Sequence, residues 1–186
     1  MIRIKCSHDI IKSLEFYCVL LIGRSGQKMK RKNKKLLFIS SIGGHLTQLL
    51  QLEPLFKDYP YHIVTEKSEI TKDLAEKYPI SFLVYGARNY PFRYIFKFSY
   101  NILKSFYIFF REQPDVVITT GAHTAVPMCY IAKLFKKKVI FIESFAKSKS
   151  PTMAGRIVYP IADLFIVQWE SMLEHYPKAV YGGSIY

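Results

Sequence analysis

The stretch Lys35-Leu36-Leu37-Phe38-Ile39-Ser40-Ser41-Ile42-Gly43-Gly44-His45-Leu46 constrains this chain more than any other. A short apolar run follows a cluster of lysines and breaks at two glycines. A helical alternation of polar and apolar residues begins at once. Such a run reads as a first β-strand entering a first helix through a tight loop. The glycines let the backbone approach a ligand closely, and helix N–H groups beyond them point at an anion.

The same plan recurs down the chain. Apolar runs predict strands at Leu36–Ser40, Tyr61–Thr65, Ile80–Tyr85, Val116–Thr120, Val139–Glu143 and Leu164–Gln168, with a short one near Ala179–Tyr181. Between them, helical patterns run over Leu46–Lys57, Ser68–Tyr78, Phe92–Arg111, Thr124–Phe135, Thr152–Tyr159 and Glu170–His175. Strands alternating with helices predict an α/β fold with an open parallel sheet covered on both faces. Ligands of such sheets bind at the carboxyl ends of the strands, which selects the loops worth reading.

Charge adds a second constraint. The 186 residues carry a formal net charge of +13, which calls for an anionic partner: nucleic acid, phospholipid headgroups or a phosphorylated substrate. Much of the excess lies before the first strand. Residues 1–34 read as a loosely ordered basic extension, either a solvated leader or an arm drawn to anionic lipid, and residues 35–186 as the folded domain. The apolar patch Leu14–Ile22 is too short to span a bilayer, and Met29 opens a more natural start than Met1. Cys6, Cys18 and Cys129 lie far apart with no CxxC, which predicts neither a disulfide framework nor a metal site.

The segment 92–111 is unlike an ordinary surface helix. On a helical wheel Arg93, Lys97, Lys104 and Arg111 fall on one narrow stripe beside Asn101. Nearly everything else, including Phe96, Phe106 and Phe109, is aromatic or aliphatic. A buried connecting helix with snorkelling lysines has this composition. So does a helix lying in a membrane interface, its aromatics among acyl chains and its basic stripe on anionic lipid, and this is the preferred reading. Four charges make it a poor spanning helix. The preceding loop adds Arg88 and Tyr90.

Three loops follow strand ends. In the first, Ser40, Ser41, Gly43 and Gly44 shape the turn. His45 either takes a proton from a hydroxyl nucleophile, caps the helix or donates to a diphosphate; imidazole ordinarily titrates near neutrality. The second, Thr119-Thr120-Gly121-Ala122-His123-Thr124, offers donors to an anionic oxygen or ordinary capping groups. The third starts at Glu143 and carries Lys147, Lys149 and then Arg156, either an anion-binding loop or a solvated basic one; Glu143 could orient a sugar hydroxyl or a histidine. No GxxxxGK[ST], GxGxxG, HExxH or GxSxG pattern occurs, which argues against a P-loop nucleotide hydrolase, a zinc protease and an α/β-hydrolase.

These residues, with Pro160-Ile161-Ala162-Asp163, Val167-Gln168-Trp169 and Tyr181-Gly182-Gly183, resemble the PssD-type bacterial glycosyltransferase subunits of capsule and exopolysaccharide synthesis. They are similar too to the eukaryotic membrane subunit of the two-chain N-acetylglucosaminyltransferase acting on dolichol-linked oligosaccharide. More distantly, the layout resembles the N-terminal half of the transferase that makes peptidoglycan lipid II. The resemblance covers residues 35–186. It implies a Rossmann-like sheet equivalent to the N-terminal, acceptor half of a GT-B glycosyltransferase, on the cytoplasmic face of the membrane and peripheral to it. It implies no metal or other cofactor, and a heterodimer in which a second chain holds most of the UDP-sugar pocket, so that this chain is inactive alone. The acceptor would be a polyprenyl-diphosphate saccharide. His45 becomes the candidate base or acceptor-positioning group. Ser40, Ser41, Gly43, Gly44, Thr120, Gly121, His123, Glu143, Lys147, Lys149 and Arg156 become candidate acceptor or phosphate contacts. Arg93, Phe96, Lys97, Lys104, Phe106, Phe109 and Arg111 become candidate membrane contacts. A non-catalytic scaffold that recruits a partner transferase is the alternative. Nucleic-acid binding rests on charge alone, with no motif to support it.

Overall fold

A computed structural model describes residues 34–86 and 91–185, with the side chains of all of these but 91–94. The basic extension before Lys34, the loop residues Arg88 and Tyr90 and the Arg93 side chain lie outside the described residues.

Seven parallel strands form one sheet. They are β1 (Leu36–Ile39), β2 (Tyr61–Glu66), β3 (Ile80–Leu83), β4 (Val116–Thr119), β5 (Lys138–Ile142), β6 (Leu164–Val167) and β7 (Val180–Tyr181). The spatial order is β3-β2-β1-β4-β5-β6-β7. The chain winds outward from β1 to β3, returns to place β4 beside β1, and then winds the other way. That reversal opens a crevice between the loops after β1 and β4, where ligands of such sheets sit.

The strands are apolar throughout because both faces are covered. Leu37, Ile39, Val64, Val117, Val139, Phe141 and Phe165 face one core layer. There they meet α4 (Pro91–Glu112), α5 (Val126–Leu134) and α6 (Met153–Val158). Leu36, Phe38, Ile63, Ile118, Ile140 and Ile166 face the other layer, under α1 (Gly44–Leu50) and α2 (Glu53–Asp58). One-turn α3 (Leu74–Lys77) precedes β3.

Every expected strand is present, with ends shifted by a residue or two. The helical expectations fare less well where short turns compete. The segment 46–57 forms two helices, not one: Pro54 sits in the first turn of α2, where its missing N–H is harmless, and its ring would clash inside a continuous helix. The segment 68–78 forms a 3₁₀ turn at Glu69–Thr71, closed by reciprocal Ser68 and Thr71 capping, followed by α3. The segment 170–175 is likewise a 3₁₀ turn.

α4 turns two unlike faces outward and inward. Asn101, Ser105, Ile108 and Phe109 are buried. Phe109, expected to meet lipid, is 3% exposed and belongs to the core, and Phe106 packs partly buried against the same cluster. The basic stripe follows the edge of β3. Asn101 pairs with the Val84 backbone through two hydrogen bonds of 2.8 Å, Lys97 Nζ donates to Tyr85 O at 3.1 Å, and Arg111 Nη2 donates to Ser81 Oγ at 2.7 Å. Asn101 and Lys97 thereby cover peptide groups just beyond β3 that an edge would otherwise offer to another chain. The opposite face carries Phe96, Tyr100, Leu103, Tyr107 and Phe110 at helical spacing, all exposed, with Phe96 at 77% and Leu103 at 70%. Phe110 meets Phe135 edge-on at 4.9 Å, which joins this face to exposed Leu134 beyond it.

Candidate active site

The carboxyl ends of β1 and β4 bring together the first two loops. Gly43 adopts φ +80°, a left-handed conformation that glycine takes without strain, and turns the chain from β1 into α1. Gly44 is exposed and opens α1; Ser41 is half-buried. Ser40 is fully buried, and its hydroxyl has no partner among the described residues, so it lines the base of the loop rather than its mouth.

His45 is half-buried and held by β4. Its Nδ1 lies 2.8 Å from the Thr120 carbonyl, and the Thr120 hydroxyl donates to the His45 carbonyl at 2.7 Å. A carbonyl only accepts, so Nδ1 carries the ring proton. In the neutral ring Nε2 therefore keeps its lone pair and has no hydrogen-bond partner among the described residues. Gly121 supports the same ring. Its φ is +100°, and a Cβ built there would lie 3.3 Å from His45 Cε1. A side chain there would push the imidazole by a few tenths of an ångström. Gly121 is fixed in turn by the Thr119 hydroxyl, which accepts from Gly121 N at 3.1 Å.

An acidic group closes this crevice, and the sequence reading missed it. Glu66 ends β2 and is buried. Its carboxylate accepts from Thr124 Oγ1 at 2.7 Å and from Ile42 N at 3.5 Å, tying the turn after β4 to the loop after β1. Burial pushes its carboxyl above the usual range; those hydrogen bonds and the attraction of His45 pull the other way. The available signal was the one used for Glu143: an acid closing an apolar strand at its carboxyl end. His123, half-buried, starts the 3₁₀ turn that carries Thr124.

Glu143, one strand beyond, is engaged structurally. Its oxygens accept from Ser144 N at 2.8 Å, Thr152 N at 3.3 Å and Tyr176 Oη at 2.8 Å. Burial and that carboxylate push the Tyr176 phenol well up, so it stays a donor. Glu143 thus closes both ends of the Ser144–Pro151 loop and is not placed as a group facing a sugar. Trp169 Nε1 donates to Phe145 O at 2.6 Å, and His175 Nε2 lies 3.1 Å from Lys149 O. The loop is therefore fixed while Lys147, Lys149 and Arg156 stand exposed, with no acidic partner among the described residues. Gln168 joins it to the first crevice: its Nε2 donates to Gln48 Oε1 of α1 at 3.0 Å and to the Glu143 carbonyl at 2.8 Å. Among the described residues, no group of three or more His, Cys, Asp or Glu is placed to hold a metal ion.

The model of the family described as "Oligosaccharide biosynthesis protein Alg14 like" matches residues 70–185, which include the turn after β4 and the whole Glu143 loop. The chain belongs to the Alg14-like family. Its Alg14 relatives include the UDP-N-acetylglucosamine transferase subunit alg14 of Schizosaccharomyces pombe, 30% identical over 193 residues that cover 90% of this chain and 92% of that protein. The mouse protein UDP-N-acetylglucosamine transferase subunit ALG14 is 29% identical over 183 residues, covering 83% of this chain and 84% of that one. Among solved structures, Acinetobacter baumannii MurG superposes with a TM-score of 0.61 at 15% identity, over 74% of this chain and 42% of MurG. An identity that low speaks for the fold alone. The Alg14-like chain has the Rossmann-like sheet of a GT-B glycosyltransferase and spans less than half of MurG's length. Among its described residues no helix is long and apolar enough to cross a membrane.

Proposed function

We propose that this chain is the acceptor-binding, membrane-associated subunit of a two-chain glycosyltransferase. It works at the cytoplasmic face of the membrane, in capsule or exopolysaccharide synthesis. The observation that carries the reading is His45. A Thr120 carbonyl fixes its tautomer, its Nε2 lone pair is open, and it stands at the crevice where parallel sheets bind ligands. Membership of a family whose relatives are named transferase subunits supports the same reading.

In the reaction, an acceptor hydroxyl of a polyprenyl-diphosphate saccharide attacks the anomeric carbon of a UDP-sugar. His45 Nε2 removes the hydroxyl proton as the new C–O bond forms. The bond from the anomeric carbon to the diphosphate breaks, and UDP leaves with that electron pair. The imidazolium then returns its proton to solvent. General base catalysis of this kind contributes about 10²–10⁴-fold. Lys147, Lys149 and Arg156 neutralise the acceptor's diphosphate, and a partner chain holds most of the UDP-sugar. The aromatic face of α4 rests on lipid and keeps the lipid-linked acceptor within reach.

The test uses liposomes carrying a polyprenyl-diphosphate sugar and a panel of UDP-sugars, with UDP-N-acetylglucosamine first because the relatives carry it in their names. Transfer is measured with this chain, with its candidate partner, and with both. Activity from the pair alone is expected, with His45→Ala lowering it about 100-fold or more. Full activity of the pair carrying His45→Ala would leave a recruiting scaffold as the reading instead.

A further inference from the structure

We infer that Glu66 is a positioning residue for His45: it locks the two loops that hold the imidazole and supplies the negative charge that balances the ring when it is protonated. The inference rests on the reading of His45 as the base. Glu66 stands at the carboxyl end of β2, next to β1. Its two oxygens hold one element on each side: Thr124 Oγ1 from the turn after β4 at 2.7 Å, and Ile42 N from the loop after β1 at 3.5 Å. Those two loops also hold His45, the first by carrying it into α1 and the second through Thr120 and Gly121.

A buried acid needs compensation for its charge. Thr124 and Ile42 give Glu66 one neutral donor each, and a neutral donor stabilises a carboxylate less than a cation does. The charged group acting on Glu66 from α1 is His45. When His45 takes a proton, the Glu66 carboxyl at the end of the neighbouring strand is the acidic group that can balance it, and the base is better supported in the step where its charge develops. Glu66 itself touches neither acceptor nor donor in this scheme; it acts through the imidazole.

Glu66→Gln separates charge from hydrogen bonding. The Gln carbonyl oxygen can still accept from Thr124, the shorter of the two bonds, while the charge and the long bond from Ile42 N disappear. Loss of the long Ile42 bond and relief of a buried charge oppose one another, so the thermal midpoint is expected to stay near that of wild type. Two readouts follow. Nitrogen-15 spectra of the His45 ring in the full chain report its tautomer and electrostatic surroundings, and the ring resonances are expected to move in Glu66→Gln. In the reconstituted pair, kcat falls about tenfold while the acceptor KM stays level, and Glu66→Asp recovers part of it.

An unchanged His45 spectrum with unchanged kcat would overturn the inference, as would a loss that tracks unfolding alone. If the ring resonances move in Glu66→Gln while His45→Ala keeps full activity in the pair, the link between the two residues stands and the catalytic reading of His45 falls.

Discussion

His45 and Thr120 hold each other through two hydrogen bonds that run in opposite directions. The imidazole Nδ1–H donates to the Thr120 carbonyl at 2.8 Å, and the Thr120 hydroxyl donates to the His45 carbonyl at 2.7 Å. The first bond fixes the tautomer, and the second fixes the backbone from which the ring projects. Together they join α1 to β4 across the crevice, so ring and strand move as one.

Gly121→Ala tests that coupling. The substitution strains a backbone at φ +100° and sets a methyl 3.3 Å from His45 Cε1. Strain at such a position costs about 1–3 kcal/mol, visible as a lowered thermal midpoint. The ring must also shift, so kcat of the reconstituted pair should fall about tenfold or more even at temperatures where the variant is fully folded. Thr120→Val is the milder control. It removes only the hydroxyl bond, costs about 1 kcal/mol and leaves the carbonyl that sets the tautomer.

The Glu143 anchor makes a second prediction. A Cβ on Gly155 would run into the Glu143 carboxylate and the Tyr176 hydroxyl, with Thr152 Oγ1 at 2.9 Å closing the remaining side. None of these can yield, because Glu143 and Tyr176 are buried and bonded to each other at 2.8 Å. Gly155→Ala should therefore destabilise by about 2–3 kcal/mol, measured by denaturant unfolding. Tyr176→Phe deletes one donor to a buried carboxylate and should cost about 1.5–3 kcal/mol. In both variants amide exchange should accelerate across residues 144–152 before it does in the central strands, because the loop loses its clasp.

The seven strands were legible because an apolar run between turn residues has few other uses in a chain of this size. His45, Thr120 and Gly121 were legible as site candidates because their loops follow strand ends. Their mutual bonding was not, since His45 and Thr120 lie seventy-five residues apart in sequence and meet only because β4 lies beside β1. Glu66 carries the same signal as Glu143, an acid closing an apolar strand, but its bonds to the loops after β1 and β4 become visible only in the fold. On α4 the wheel predicted the stripes correctly but not their surroundings. Periodicity gives the angle between Lys97 and Phe96, whereas the edge of β3 decides which side is inside. Pro54 had a plain breaking signal that the apolar spacing of 46–57 outweighed.

A third prediction concerns pH. His62 is buried near the amino ends of the strands, with Ser81 Oγ at 2.8 Å, Arg111 Nη2 at 3.4 Å and Glu112 Oε2 at 3.6 Å; Lys35 bonds the same Glu112 oxygen at 2.6 Å. Burial, together with Arg111 and Lys35, lowers its pKa below the ordinary histidine value against the pull of Glu112. The unfolded chain then binds the proton first. Stability should be intact above about pH 6.5 and decline as the pH falls from there toward the folded-state value. Glu66, raised by burial, pushes the opposite way as its carboxylate ionises. The clean readout is therefore a difference: urea midpoints of wild type minus His62→Gln, followed from about pH 7.5 to 5, should slope downward with acid. A flat difference would mean that His62 titrates alike in folded and unfolded chains.

The last prediction separates the exposed apolar side of α4 from its core side. Phe96 and Leu103 are 77% and 70% exposed, and Phe109 is 3% exposed. Replacing both Phe96 and Leu103 by Glu adds two charges where acyl chains would lie and removes no core contact. The variant should keep its thermal midpoint within about 1 kcal/mol of wild type, since surface changes rarely do more. Its partition onto vesicles containing anionic lipid should fall by at least tenfold, because burying such aromatic and aliphatic side chains contributes about 1.5–3 kcal/mol each. Phe109→Ala should do the reverse: a stability loss of about 3–5 kcal/mol from the cavity it opens, with vesicle binding unchanged at temperatures where it is folded. The cations make a smaller, salt-dependent contribution of about 1 kcal/mol each near an anionic surface. Lys97 and Arg111 are already bonded to Tyr85 O and Ser81 Oγ, so Lys104 is the better probe, and Lys104→Ala should weaken binding at low salt and not at high salt. Vesicle flotation of all three variants distinguishes the two faces, and a double Glu variant that still floats with the vesicles would remove α4 from the membrane contact.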